Sequence, residues 1–169
     1  IASGYWHVTD SQSGYTALNR KGMKLIAFER VYPRYGMPND FLVRCNIVNL
    51  RVKDIPIDPI YGVGEVSGLK IHRVFLPILV LLARIFVRRM IYKYIIRDFH
   101  PLVFFYAMGF TMMILDIPLI IRMAMRWTGE SSITNLNVMF IMLFTIIGFQ
   151  SIFFAMLFDM EANKDLKGD

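Results

Sequence analysis

The stretch that decides the fold is residues 71–100, which read IHRVFLPILV LLARIFVRRM IYKYIIRDFH. It is almost wholly apolar from Val74 to Val87 and then becomes basic. Residues 1–70, before it, have the mixed composition of a soluble α/β domain, whereas two apolar runs of membrane length follow it. A soluble edge joined directly to a membrane anchor predicts chemistry at a bilayer surface, with one water-soluble and one lipid-soluble substrate.

Residues 71–100 are predicted to form a juxtamembrane helix at the bilayer surface. The apolar run is too short to span, since crossing the hydrocarbon core takes about 20 residues. Its basic side chains lie on two diverging ridges, and the long basic side chains of an interfacial helix extend towards lipid head groups. The residues predicted to contact head groups are Arg84, Arg88, Arg89, Lys93 and Arg97. The alternative is a helix buried in a soluble domain.

Two apolar runs, 101–121 and 136–158, are each long enough to cross a hydrocarbon core of roughly 30 Å. The five basic residues of this helix precede the first run, whereas the link between the runs contains only two basic residues, Arg122 and Arg126. Because Lys and Arg favour the cytoplasmic side, the pattern predicts a transmembrane hairpin with the soluble part and both termini in the cytoplasm. The tail, residues 159–169, is expected to be frayed. The net charge of +6 then indicates a membrane rather than a nucleic-acid partner.

Polar and small residues within the two runs are candidates for helix contacts. Asp116 lies near one end of its predicted span, where it is either an interfacial carboxylate or a contact for lipid or an oligomer partner. Small residues spaced along one face favour close helix packing in lipid, although their spacing also arises by chance. That face comprises Thr145, Gly148, Ser151 and Ala155.

The periodicity of residues 1–70 predicts strands at 14–19 and 52–57, and helices at 20–28 and 40–50. Asn39 is a suitable N-cap for the second helix. The chain starts at Ile1 within what looks like a domain, so an upstream part is expected. The predicted fold class is therefore an α/β remnant followed by a juxtamembrane helix and a two-helix transmembrane hairpin.

The residue pattern by itself gives modest catalytic signals. The sequence has no phosphate-binding glycine loop of known spacing, no HExxH and no CxxC. Its one cysteine, Cys45, excludes an intramolecular disulfide. Asp40 falls in the first turn of a predicted helix, where the dipole favours an anion even without a function. A catalytic and a structural role for Asp40 therefore both remain open at this stage.

Four segments in a fixed order carry a family resemblance. They are 10–17 (DSQSGYTA), the pair Asn39 and Asp40, 54–57 (DIPI) and 61–70 (YGVGEVSGLK). In this order they resemble the C-terminal part of the catalytic domain of glycosyltransferase family 2, in the branch of dolichyl-phosphate mannose synthases and bacterial polyprenyl-phosphate glycosyltransferases. The resemblance covers residues 1–70 by motif and 71–158 by architecture. It implies the end of a GT-A domain, a nucleotide-binding α/β fold.

The resemblance implies inverting transfer of a sugar from a nucleotide sugar to polyprenyl phosphate. Asp40 would be the catalytic residue on the acceptor side, either as a general base or as a positioning group, since a phosphate acceptor is already anionic. Lys70 would offer a point charge to the lipid phosphate. The residues implied in substrate binding are Gln12, Ser13, Asn39, Ser67 and Lys70.

The chain also departs from that family. Position 16 is a threonine where the mannose synthases tend to have an arginine, and the loop after Pro59 also lacks an arginine that is common in them. The chain contains no DxD metal motif. A divalent metal, Mg or Mn, is expected in the full enzyme with ligands outside this chain, which is expected to be inactive alone. The competing hypothesis is a non-enzymatic two-span adaptor or subunit, in which the motif order is coincidental.

Overall fold

The computed structural model describes residues 2–33, 36–57, 71–127 and 135–168, and these residues are predominantly helical. The five α-helices are α1 (Arg20–Leu25), α2 (Met37–Ile47), α3 (Ile71–Ile91), α4 (Leu102–Trp127) and α5 (Asn135–Ala162). Short 3₁₀ turns occupy Phe28–Arg30 and Lys164–Leu166, and a π-helical turn, Tyr92–Arg97, continues α3. The chain divides into a first unit, residues 1–99 with 162–169, and a second unit, residues 100–161.

The predicted α/β remnant is wrong for the described residues, because they contain no β-strand. A strand is stable only when neighbours satisfy its backbone and bury one of its faces. Residues 14–19 have neither, and Tyr15 is 85% exposed. In the second predicted strand only Val52 is paired, in an isolated parallel bridge to Lys167.

Helix α2 forms where the sequence predicts it but with shifted ends. It starts at Met37, with Pro38 in the first turn, where a missing N–H leaves no hydrogen bond unmade. Asn39 therefore lies inside the helix and is not its N-cap. At the other end Asn49 adopts a left-handed conformation with φ of 55°. The Leu50 N–H then donates to the Cys45 carbonyl and the Asn49 N–H to the Asn46 carbonyl, a Schellman ending.

The C-terminal tail is part of the first unit rather than frayed. The Val52 N–H donates to the Leu166 carbonyl at 2.9 Å, and the Gly168 N–H donates to the Val52 carbonyl at 2.8 Å. Leu166 packs into a core with Tyr5, Ile26, Phe41, Leu42 and Cys45. A second cluster joins Val43 of α2 to Leu81 and Ile85 of α3. The first unit is thus assembled from the N-terminal segment, α2, α3 and the tail.

The second unit consists of α4 and α5, and both helices are long and apolar enough to cross a membrane. Their contact uses small residues: Gly148, Ser151 and Ala155 of the predicted face are buried. A Cβ atom on Gly109 of α4 would lie 2.6 Å from Ile152 Cγ1 and 3.0 Å from the Gly148 carbonyl oxygen. The backbones of α4 and α5 therefore approach too closely at this point for any side chain on Gly109.

Asp116 lies near the middle of α4, not near one end, because the helix continues to Trp127. Its carboxylate accepts a hydrogen bond from the Thr145 hydroxyl of α5, and the side chain is buried. Asp116 therefore fastens α4 to α5.

We expect Gly109→Val to loosen the helical hairpin. The added side chain must displace Ile152 or separate the helices, and overpacking of this kind costs about 1–3 kcal/mol. The thermal unfolding midpoint of the full chain in detergent should fall by several degrees. Gly14→Val is the matched control, since nothing lies within 4 Å of a Cβ at Gly14. Equal midpoints for the two variants would contradict the close helix contact.

Candidate functional site

The predicted catalytic residue, Asp40, lies at the centre of a buried ion-pair cluster. The cluster, called here the Asp40 cluster, consists of Tyr32, Asp40, Arg44 and Arg88. Asp40 Oδ2 accepts hydrogen bonds from the Tyr32 N–H and from Arg44 Nε, each at 2.9 Å. Asp40 Oδ1 accepts a hydrogen bond from Arg88 Nη2 of α3. Both carboxylate oxygens are therefore engaged, and the residue is only 1% exposed.

The cluster keeps Asp40 ionised. Burial acts to raise the pKa of the Asp40 carboxyl, but the hydrogen bonds from Arg44, the Tyr32 N–H and Arg88, with the Arg88 charge, together hold that pKa below its usual range. A carboxylate with a lowered pKa is a weak proton acceptor near neutral pH. The arrangement therefore suits an anchoring or positioning role better than general-base catalysis.

Asn39, next to Asp40, carries an unused hydrogen-bond donor. Its side chain is buried, and its Nδ2 has no hydrogen-bond partner among the described residues. A buried amide group without a partner costs free energy, and native structures rarely tolerate one without a reason. Among the predicted substrate-binding residues that the structure describes, Asn39 is thus the one whose buried amide group lacks a hydrogen-bond acceptor.

The other predicted substrate-binding residues do not join this cluster in the described contacts. The Gln12 N–H donates to Asp10 Oδ1 at 2.8 Å, and Ser13 Oγ accepts from the Tyr15 N–H at 3.4 Å, so both form local turns. Ser67 and Lys70 lie outside the described residues.

The basic residues of α3 and its π-helical turn mostly contact protein. Arg88 binds Asp40, and the Arg97 guanidinium donates to the Ile47 carbonyl. Arg89 is fully buried, close to Gly4 and against the rings of Phe86 and Tyr94. Among the five predicted head-group contacts, Arg84 is exposed and has no such protein contact among those described.

Lys93 belongs to a second polar cluster, which joins α2 to the tail. Its ammonium group donates to the Asn46 carbonyl at 3.1 Å, to Asn46 Oδ1 at 3.0 Å and to Asn163 Oδ1 at 2.6 Å. Asn163 Nδ2 donates to the Tyr94 hydroxyl at 2.7 Å. This set is called here the Lys93 cluster. Sequence reasoning missed it because Asn46, Lys93 and Asn163 are far apart along the chain and only folding brings them together.

Two further features bear on chemistry at the surface of the first unit. A basic pocket of about 450 Å³ is lined by Arg51, Lys164, Asp165, Lys167 and Gly168. No group of three or more potential metal ligands occurs among the described residues.

The chain was compared with protein families, with curated proteins and with solved structures, and none of them matches it.

We expect Asp40→Asn to destabilise the first unit. The substitution preserves size but leaves two guanidinium groups without a carboxylate. Breaking a fully buried pair costs about 3–5 kcal/mol, and the loss should be smaller here because the side chains of Arg44 and Arg88 remain 18% and 29% exposed. Thermal unfolding of the full chain in detergent measures the effect, and Asp54→Asn is the control, since Asp54 is exposed and accepts one bond, from the Thr9 N–H.

The same comparison has a defined pH dependence. The pKa of Asp40 is lower in the folded protein than in the unfolded chain. The contribution of Asp40 to the free energy of unfolding is therefore fully present above the unfolded pKa of about 3.9, and it is lost as the pH falls towards the folded pKa. The stability difference between wild type and Asp40→Asn should stay constant from pH 7 to pH 5 and shrink below about pH 4. A difference that grows on acidification would refute the ion-pair role.

Proposed function

We propose that this chain is the acceptor-side part and membrane anchor of a glycosyltransferase that moves a sugar from a nucleotide sugar to polyprenyl phosphate. The ordered motifs of residues 10–17, 39–40, 54–57 and 61–70 are the observation that carries the proposal. Two residues of these motifs, Asn39 and Asp40, lie side by side in the core of the first unit. Asn39 has a buried donor without a described partner, and Asp40 is an ionised carboxylate fixed by hydrogen bonds.

The chemistry of the acceptor agrees with this environment. A phosphate oxygen attacking the anomeric carbon is already anionic, so the new bond forms without removal of a proton by the protein. Asp40 then acts by fixing Arg44 and Arg88 and the first turn of α2, while the Asn39 amide donates a hydrogen bond to a substrate oxygen. Ser67 and Lys70 remain proposed contacts of the lipid phosphate.

The second candidate function is a non-enzymatic two-span adaptor or subunit. One observation favours it: both carboxylate oxygens of Asp40 accept hydrogen bonds from protein groups that fix α2 to α3, as in a structural ion pair. Asn39 separates the two hypotheses, because a structural account gives its buried donor no function.

We expect Asn39→Leu to lower sugar transfer without lowering stability. Leucine has the same branching and number of side-chain heavy atoms, and it removes a buried donor that has no described partner, so the unfolding midpoint should stay equal or rise. Losing one hydrogen bond to a charged substrate, about 1.5–3 kcal/mol, should reduce kcat/KM by about 10- to 100-fold. The assay is transfer from candidate nucleotide sugars to polyprenyl phosphate in membranes that contain the intact protein.

Asp40→Asn in the same assay should lower turnover by about 10²-fold, because the substitution releases Arg44, Arg88 and the first turn of α2 from their fixed positions. Asp54→Asn should have little effect. Wild-type transfer by Asn39→Leu would remove Asn39 from the substrate site. Failure of the intact wild type to use any nucleotide sugar would favour the adaptor.

The membrane topology proposed here places the first unit in the cytoplasm. Residues before α4 and residues after α5 belong to one compact unit, which requires the chain to cross the membrane an even number of times. The basic residues before residue 101 favour the cytoplasmic side for that unit.

We expect a cysteine at Ser132→Cys to react with an impermeant thiol reagent added to intact cells, and one at Lys24→Cys to react only after the cells are permeabilised. The native thiol gives little background, because burial raises the pKa of Cys45 to about 11. Protection at position 132 together with labelling at position 24 would reverse the topology.

A further inference from the structure

The exposed face of α3 is apolar, although the helix is rich in arginine. Side chains that recur every three or four residues form a stripe on one side of a helix. On α3 the exposed large apolar residues recur in this way: Phe75, Leu76, Leu79, Val80, Val87 and Ile91. The π-helical turn continues the exposed apolar surface with Tyr92, Ile95 and Ile96. This surface is called here the outer face of α3.

The opposite face of α3 contains the residues that pack inward. Leu81 and Ile85 pack against Val43 of α2, and Arg88 binds Asp40. Arg89 and Lys93 are buried within the first unit. The usual arrangement of a soluble surface helix is therefore largely inverted. Arg88, Arg89 and Lys93 are turned towards the protein, whereas the large apolar side chains, with Arg84 at their edge, are turned towards the surroundings.

We infer that the outer face of α3 is inserted into the bilayer surface, and that it binds there by burial of apolar side chains rather than by attraction of cations to anionic head groups. Soluble proteins rarely leave a long contiguous apolar stripe of this kind in water. The bilayer is the occupant that chain continuity favours, because the apolar residues extend to Phe99 and the membrane-length helix α4 begins at Leu102. The aromatic side chains of Tyr92 and Phe99 are typical of the membrane interface.

This assignment sets the distance of the candidate site from the membrane. Helices in contact have axes about 8–10 Å apart, so α2 and Asp40 lie one helix layer away from the lipid that α3 contacts. A lipid-borne phosphate at head-group depth is then near the first turn of α2. The inference itself is independent of sugar transfer and also holds for a two-span adaptor.

The experiment measures the environment of single labelled cysteines in the full chain, reconstituted in neutral phosphatidylcholine bilayers. The reporters are Ile91→Cys and Ile95→Cys on the outer face, each with a bimane label, and Lys24→Cys on exposed α1 is the control. Nitroxides attached near the top of the lipid acyl chains should quench positions 91 and 95 at least 3-fold more than position 24. A neutral water-soluble quencher should give the reverse order. Because the contact is apolar, neither order should change between 0.05 and 1 M salt.

Three results would overturn the inference. Quenching of positions 91 and 95 by the water-soluble agent to the level of position 24 would mean that the face is in water. Protection from both quenchers would mean that protein covers it, such as a second copy of this chain. If lipid quenching required anionic lipid and disappeared in high salt, attraction of cations to head groups would be what holds α3 at the bilayer.

Discussion

The first unit depends on how one buried carboxylate is neutralised. Asp40 is almost completely removed from water, and a carboxylate in that position must have charged or hydrogen-bonding partners. Its three partners come from the loop before α2, from α2 itself and from α3. The ion pair to Arg88 therefore fixes which face of α3 packs against α2. That choice then turns Phe75 and Leu79, on the other side of the helix, away from the protein.

The Lys93 cluster repeats this arrangement one turn beyond Arg89. A lysine side chain buried beside α2 needs oxygen atoms around its ammonium group, and Asn46 of α2 and Asn163 of the tail supply them. The tail is further held by its backbone bridge to Val52. Polar side chains thus determine how the first unit is assembled, while apolar side chains in its two clusters supply most of the favourable burial. In the second unit α4 and α5 are held by their close approach at Gly109 and by the hydrogen bond from the Thr145 hydroxyl to buried Asp116.

The proposed chemistry follows from the same interactions. An aspartate held ionised by two arginines is a poor proton acceptor but a rigid support, and a phosphate acceptor needs support more than it needs a base. The buried amide of Asn39 has no use in a purely structural account, whereas a substrate oxygen would satisfy it. With α3 inserted in the bilayer surface, Asn39 and Asp40 would lie one helix layer from the lipid. A lipid phosphate and a soluble sugar donor would then meet at the same surface.

Much of the helical architecture follows from local sequence. The long apolar runs predict α4 and α5, because a membrane-length segment must satisfy its backbone hydrogen bonds internally in lipid, and a helix does so. The apolar periodicity predicts α2 to within a few residues of its observed ends, although the predicted N-cap, Asn39, lies inside the helix. The predicted strands at 14–19 and 52–57 fail, since a period-2 pattern specifies a strand only when a neighbouring strand is present to pair with it.

By itself the sequence determined that the chain carries two membrane-length helices, a basic helix before them and the residue pair Asn39 and Asp40. Which way each basic side chain points was decided only by tertiary structure. Arg84 and Arg88 are one turn apart and chemically identical, yet Arg88 meets a buried carboxylate from α2 and Arg84 does not. Helical periodicity places residues on a face but does not say what covers that face. The free energy of a buried charge depends on partners that are distant in the chain. Only the packing of α2, α3 and the tail therefore decided which basic side chains point into the protein.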